Sequence, residues 1–244
     1  MAKGRVMAII PAFNEEKAIG QTVDSVKSYV DKVVVINDGS TDQTKEIALE
    51  HGATVVSYNP NMGKGTAIYI GTQYFLKSGF DFLFTIDGDG QHRPEYIPKF
   101  MKAFQDPTVD MVIASRFGTV DWVENMPFLR KLSNLLSRFG LWILYNGFVV
   151  EDPQNGYRAY RNTAVKVLDF RPKKKGRYGF EAETEILIDA RIKGMKIATI
   201  HLPSLYFEDR VSKFSLFRDT WTIPGVMLKN FFKRKPWLYR RRFK

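Results

Sequence analysis

The chain contains no cysteine. Disulfides, thiol catalysis and thiolate metal sites are therefore excluded, and a reducing compartment fits. No apolar segment reaches bilayer length without a charge. The run Phe139-Gly140-Leu141-Trp142-Ile143-Leu144-Tyr145 is bracketed by Arg138 and Asn146, far below the roughly 20 residues that a spanning helix needs. There is no internal repeat and no low-complexity linker. The first residues, Met-Ala-Lys-Gly-Arg, run directly into a strand, so no signal peptide is expected. Acids are scarce at the C-terminal end. Residues 210–244 hold eleven Lys or Arg and one acid, Asp219, whereas residues 1–209 hold 26 basic and 25 acidic residues. Nearly all of the net charge of +11 therefore sits in the tail. Such a tail suits a polyanion, either nucleic acid or an anionic membrane surface; a solvated tail that serves solubility is the plainer alternative.

What is present is enough for a substantial core. A chain of 244 residues with 44% hydrophobic content can form one large α/β domain or two small ones. Strands are expected at 6–10, 32–36, 53–57, 80–86 and 109–114, with helices between them at 15–29, 42–51, 64–77 and 94–104. Continuous apolar strands alternating with helices predict a doubly wound, mostly parallel, Rossmann-like sheet. Ligands of such sheets bind beyond the carboxyl ends of the strands. Past residue 116 the pattern changes. Residues 122–127 read as loop, and 128–150 as an apolar helix, either buried or lying in a membrane interface with Trp142 and Tyr145 at its surface. A helix at 181–193 and a strand at 196–202 follow. The segment 213–232 is apolar and basic, with an interruption expected at Pro224-Gly225.

The densest chemistry lies in Thr85-Ile86-Asp87-Gly88-Asp89-Gly90-Gln91-His92. Two carboxylates and an amide occupy alternate positions just past a buried strand. Oxygen ligands of this kind suit Mg²⁺ or Mn²⁺, and the glycines let Asp87, Asp89 and Gln91 converge. A tight Asp-Gly turn is the structural alternative. Pro11-Ala12-Phe13-Asn14-Glu15 ends the first strand. Phe13 can pack on a nucleobase and Glu15 can accept from base or ribose, while Asn14 is a candidate helix N-cap. In Asn37-Asp38-Gly39-Ser40-Thr41-Asp42, the acid at the strand end can accept a ring N–H of uracil or guanine; Ser40, Thr41 or Asp42 can cap the next helix. Asn61-Met62-Gly63-Lys64-Gly65 can meet phosphate through backbone amides and Lys64, or serve simply as a capped loop.

In order and spacing these four motifs resemble the inverting family-2 glycosyltransferases of the GT-A fold. Later segments sharpen the likeness toward the polyprenyl-phosphate sugar synthases, typified by dolichyl-phosphate mannose synthase: Ala114-Ser115-Arg116, Asp152-Pro153-Gln154-Asn155-Gly156-Tyr157-Arg158-Ala159-Tyr160, Phe180-Glu181-Ala182-Glu183 and Arg210-Val211-Ser212-Lys213. The chain departs from that pattern at Gly88, where alanine is usual, and at Gln154-Asn155, where Thr-Ser is usual. The Arg210 motif is two residues short. C-terminal transmembrane helices, which several relatives have, are not expected within these 244 residues.

The resemblance implies a metal-dependent transfer, with inversion, from a nucleotide-sugar to a polyprenyl or dolichyl phosphate. The donor is left open among GDP-mannose, UDP-glucose and UDP-N-acetylglucosamine. Mg²⁺ or Mn²⁺ is expected on Asp87, Asp89 and Gln91. The donor is expected to meet Pro11, Phe13, Glu15, Asp38, Lys64 and Asp87. Arg116, Arg130 and Arg210 are candidates for the acceptor phosphate, because guanidinium groups match phosphate oxygens, with Lys213 nearby. Each could equally be a surface arginine. Asp89 is expected to be catalytic, and Asp152 to reach metal or sugar, or to cap a loop. One of Glu181 and Glu183 is expected at sugar hydroxyls and the other in solvent. Residues 1–210 are expected to form the catalytic domain, and 211–244 a basic, amphipathic, membrane-associating tail with interfacial helices. The whole is expected to sit peripherally at the cytoplasmic face of a membrane, alone or with a membrane subunit, and without nucleic acid. A soluble or polysaccharide acceptor is the second enzymatic reading; nucleic-acid binding through the tail is the non-enzymatic one.

Overall fold

The computed structural model describes residues 4–117, 128–173, 176–202 and 216–234, with no side-chain detail at 128–130 and 216–223. The loop expected at 122–127, Arg210, Lys213, the side chain of Arg130 and the basic end at 235–244 lie outside the described residues.

Strands β1 (Val6–Ala12), β2 (Lys32–Asp38), β3 (Thr54–Tyr58), β4 (Phe82–Thr85), β5 (Val109–Ser115), β6 (Arg158–Arg161) and β7 (Lys196–His201) form one sheet. Its order is β3-β2-β1-β4-β6-β5-β7. Every pair is parallel except the two made by β6, which runs antiparallel between β4 and β5. The apolar strands are continuous because each feeds two cores. Met7 and Ile9 of β1 face one side, with α3 (Lys64–Leu76) and α7 (Glu181–Ile192); Val6, Ala8 and Ile10 face the other, with α1 (Ile19–Lys27), α2 (Thr44–Glu50) and α4 (Ile97–Ala103). Burying one such side chain contributes about 1.5–3 kcal/mol. The remaining helices are α5 (Phe128–Leu144), α6 (Asn162–Val167) and α8 (Leu216–Arg234).

Three local expectations change. First, α1 begins at Ile19, and Asn14 is not its cap. Asn14 adopts a positive φ of 52° and accepts the Thr41 N–H through its side-chain oxygen at 2.9 Å, so it ties the first strand-end loop to the second. Second, α8 continues through Pro224 without the expected interruption. Packing explains this: Met227 and Asn230 are buried against the body, which offsets the backbone hydrogen bond that proline forfeits. Third, β6 was absent from the expected strand set. It reads Arg-Ala-Tyr-Arg, and its ends do not look buried until their partners are known.

Candidate active site

The carboxyl ends of β1 to β4 meet at one edge of the sheet, and the acidic motif lies there. Lys64, at the start of α3, reaches across to it. Its Nζ is 2.6 Å from Asp87 Oδ1 and 2.8 Å from Glu183 Oε1 on α7. Burial opposes the charge on Lys64, but the two carboxylates outweigh it and hold the ammonium's pKa above its ordinary value. Gly156 forms the floor of this bridge. A Cβ there would come within 2.6 Å of Lys64 Nζ and 2.8 Å of Asp87 Oδ1 and Glu183 Oε1, so a larger residue would push these side-chain ends apart. Asp89 accepts the Gln91 N–H at 2.9 Å, which is what Gln91 contributes to the turn. Burial and then the charge of Asp87 raise the proton affinity of Asp89. His92 closes the motif. Its Nδ1 accepts the Asp87 N–H at 3.1 Å, so the ring proton belongs on Nε2. Burial lowers the pKa of His92, and the neutral ring stacks on Tyr157 at 5.0 Å.

On the other side of the edge, Asp38 organises the loop that follows β3. Its carboxylate accepts from Asn61 Nδ2 at 2.9 Å, Met62 N at 2.7 Å and Gly63 N at 2.8 Å. The residue is buried, and that burial raises its pKa against the pull of the loop N–H groups. The side chain expected to read a nucleobase thus shapes the loop that carries Lys64. Gly39, with φ of 70°, lets the loop come close: a Cβ would lie 2.7 Å from the Asn61 nitrogen. Pro11 and Phe13 flank the same edge, both partly exposed. Glu15 donates its N–H to Thr44 Oγ1 at 2.7 Å, which fixes its backbone. At Gly88, a Cβ would stand 3.3 Å from the Pro11 carbonyl and 3.5 Å from Ala12, so an alanine nearly fits and the departure noted there is a small one.

Arg116 and Asp152 form a buried pair. The guanidinium forks the carboxylate at 2.6 and 2.7 Å, and the Arg116 N–H adds a third bond at 3.1 Å. Asn134 of α5 donates to Asp152 at 2.6 Å. Gln154 donates to Ser133 and Ser137 at 2.8 and 3.0 Å, and Asn155 donates to Asp152 at 3.3 Å. The Gln154-Asn155 departure is therefore functional in the fold: it fastens the polar face of α5 to the loop that supplies Gly156. Arg158 is fully buried and donates to three backbone carbonyls, those of Asn155, Pro153 and Glu183.

The structure thus brings Lys64, Asp87, Asp89 and Glu183 together and joins Arg116 to Asp152. Glu181 and Glu183 are both buried, which corrects the expectation that one is solvated. Lys64 was foreseen as a phosphate contact, but its bond to Glu183 was not, since 119 positions separate them. Gly156 and His92 carried no role at all in the sequence reading. Adjacency to the acidic motif was the available signal for His92, and membership of the Asp152–Tyr160 segment was the one for Gly156.

The profile of the family "Glycosyl transferase family 2" matches residues 7–168. The chain belongs to this family. Among relatives, this glycosyltransferase is 30% identical over 246 residues to UDP-N-acetylglucosamine–dolichyl-phosphate N-acetylglucosaminyltransferase of Methanococcus voltae, covering 93% of this chain and 94% of that one. It is 31% identical over 186 residues to undecaprenyl-phosphate mannosyltransferase of Micrococcus luteus, covering 73% and 75%. Among solved structures, glucosyl-3-phosphoglycerate synthase from Mycobacterium tuberculosis, in complex with Mn²⁺, UDP and phosphoglyceric acid, superposes with a TM-score of 0.73 at 23% identity, over 93% of this chain and 78% of that one. That likeness establishes the GT-A fold.

The site also fits a hard divalent cation. Among the described residues, no three His, Asp or Glu side chains stand close enough to enclose an ion. Asp87 and Asp89 offer a two-carboxylate face instead, crowded enough that Asp87 raises the proton affinity of Asp89. Mg²⁺ is commonly held by one or two carboxylates plus substrate phosphates, with the rest of its shell left open.

Proposed function

We propose that this family-2 glycosyltransferase moves a sugar from a nucleotide-sugar to a dolichyl or polyprenyl phosphate, with inversion, at a membrane surface. The observation that carries the reading is the outer face of α5. Leu132, Leu135, Leu136, Phe139, Trp142 and Ile143 follow helical spacing and are each 37–59% exposed. The opposite face, through Ser133, Asn134 and Ser137, is fastened to the 152–156 loop beside the acidic cleft. An exposed apolar stripe of this size calls for an apolar neighbour. The Methanococcus voltae relative, named for a dolichyl-phosphate acceptor, aligns over nearly the whole chain. Tyr145 is not part of the stripe as expected: it is buried, and its hydroxyl donates to the Met227 carbonyl at 2.9 Å.

In this reading an acceptor phosphate oxygen bonds to the anomeric carbon as the bond from that carbon to the diphosphate breaks on the opposite side. The acceptor oxygen is already anionic near neutral pH, so no dedicated general base is required. Asp87, Asp89 and Gln91 would hold Mg²⁺ or Mn²⁺, which when bound would offset charge on the departing diphosphate. Lys64, already against Asp87, adds a second positive charge there. Pro11, Phe13, Glu15 and Asp38 frame the donor directly or through the loop. Arg116, Arg130 and Arg210 remain the acceptor-phosphate candidates, together with Lys213; Arg116 is buried and already paired with Asp152. The test offers GDP-mannose, UDP-glucose and UDP-N-acetylglucosamine in turn, with Mn²⁺ and polyprenyl phosphate, and follows labelled sugar into the organic phase. Transfer only to water-soluble acceptors would favour the second reading.

Two outcomes follow for metal and membrane. Burial and the neighbouring Asp87 make Asp89 hold a proton more tightly than an ordinary carboxyl, so protons compete with a cation there. Mn²⁺ affinity should therefore weaken on acidification, and should begin to do so at a higher pH than an ordinary carboxylate site would show. A calorimetric titration that finds constant affinity would remove Asp89 from the ligand set. On the membrane side, the chain is proposed to associate peripherally, on the cytoplasmic face; no helix among the described residues is long and apolar enough to cross a bilayer. The stretch 211–244 serves as the associating part, with Leu228 and Phe232 of α8 exposed and Lys229 and Lys233 beside them. Replacing Phe139 and Trp142 together with serine should reduce co-sedimentation with phosphatidylglycerol vesicles about tenfold or more, and added salt should weaken what remains. Undiminished co-sedimentation would assign the stripe to a protein partner such as a membrane subunit.

A further inference from the structure

The donor loop at residues 61–65 is held from two sides. Asp38 grips one side through the three bonds given above. Tyr178 grips the other: its N–H donates to the Met62 carbonyl, and its carbonyl accepts the Gly65 N–H, both at 2.8 Å. The contact is tight. A Cβ on Gly63 would come within 2.6 Å of the Tyr178 carbonyl, and one on Gly65 within 2.5 Å of its ring. Tyr178 is itself anchored from below. Its buried hydroxyl donates to Glu185 Oε2 on α7. The other oxygen of Glu185 accepts from Asn230 Nδ2 of α8 at 3.1 Å. Glu185 and Asn230 are 5% and 6% exposed, so the chain of bonds runs through a nearly water-free interior. It begins on the helix that exposes Leu228 and Phe232 and ends on the loop that carries Lys64.

We infer that Tyr178, Glu185 and Asn230 are positioning residues that make the seating of α8 part of the geometry of the donor loop. None of the three belongs to the acidic motif or the acceptor arginines, and the inference rests on the reading of residues 61–65 as a donor loop. Its physical basis is the absence of competing solvent: a buried carboxylate with two fixed donors has few alternative arrangements, so a shift of α8 is passed to Tyr178 rather than absorbed by water. The inference also accounts for a paired acid in the interior of α7, where an apolar side chain would pack at lower cost.

The test measures the affinity of UDP and of GDP, each with Mn²⁺, for the full chain by calorimetry, well below the unfolding midpoint. Tyr178→Phe keeps the ring and deletes one hydroxyl; whichever nucleotide the intact chain binds should bind about tenfold more weakly. Asn230→Leu should weaken it in the same direction, although Asn230 lies on another helix. The double variant should lose less than the product of the two single losses, because both cut one chain of bonds. Glu185→Gln, which keeps an acceptor for Tyr178, should recover most of the affinity lost in Glu185→Ala. Nucleotide affinity unchanged in Tyr178→Phe or Asn230→Leu, or losses that simply multiply, would overturn the inference and leave the donor reading standing. An intact chain that binds neither nucleotide would overturn the donor reading and the inference with it.

Discussion

Asp89→Ala should abolish turnover, with a loss on the order of a hundredfold or more, and excess EDTA should do the same to the intact chain. The carboxylates of Asp87 and Asp89 are the only pair of acids that the turn after β4 presents together, and Lys64 already occupies one side of Asp87. Removing Asp89 leaves one carboxylate that is shared with an ammonium, a poor ligand set for a divalent cation. Loss of charge neutralisation at a departing diphosphate costs several kcal/mol of transition-state stabilisation. The fold should survive, because the structural contact of Asp89 given above is a single turn bond to the Gln91 N–H. The measurements are steady-state transfer and the thermal midpoint, taken together. Full activity in EDTA, or in Asp89→Ala, would rule out the metal.

The second large effect is on stability. Asp152→Ala should lower the thermal midpoint by on the order of 10 °C, from about 3–5 kcal/mol of lost stability. Asp152 is fully buried, and its partner Arg116 is 5% exposed. Deleting the carboxylate removes both charge-assisted bonds that it makes to a buried guanidinium and removes the acceptor for Asn134, which fastens α5. The double change Arg116→Met with Asp152→Leu should recover part of the loss, because no charge is then buried alone. Calorimetric unfolding of the two variants beside the native chain tests this. A single variant as stable as the native chain would mean that water reaches Arg116 freely.

Much of the architecture was legible because it is local. Strands β1 to β5 and the helices between them announce themselves through apolar runs and their spacing, and the carboxylate pair after β4 stands within a few residues of its strand. Strand β6 was hidden by its arginines. Arg161 stands over the rings of Phe82 and Phe104 and donates to the carbonyls of Val109 and Phe104, while Arg158 satisfies three more. Charge placed in or against the core is tolerable only with such partners; two of those of Arg158 are local, but Glu183 lies 25 positions away and the carbonyl partners of Arg161 lie 52 and 57 away. The same reason hid the commitment of Asp38 to its loop and of Arg116 to Asp152.

The sequence by itself determined the α/β class, the order of the motifs along the strand ends and the basic bias of the C-terminal stretch. These depend on residue type and short-range period alone. Tertiary structure decided which face of α5 is exposed, that Lys64 joins Asp87 to Glu183 over Gly156, and that Asp38 grips a loop 23 to 25 positions away. A charged or polar side chain takes whichever partner the fold brings within hydrogen-bond reach, and in a seven-stranded sheet with crossovers that partner is rarely a neighbour in sequence.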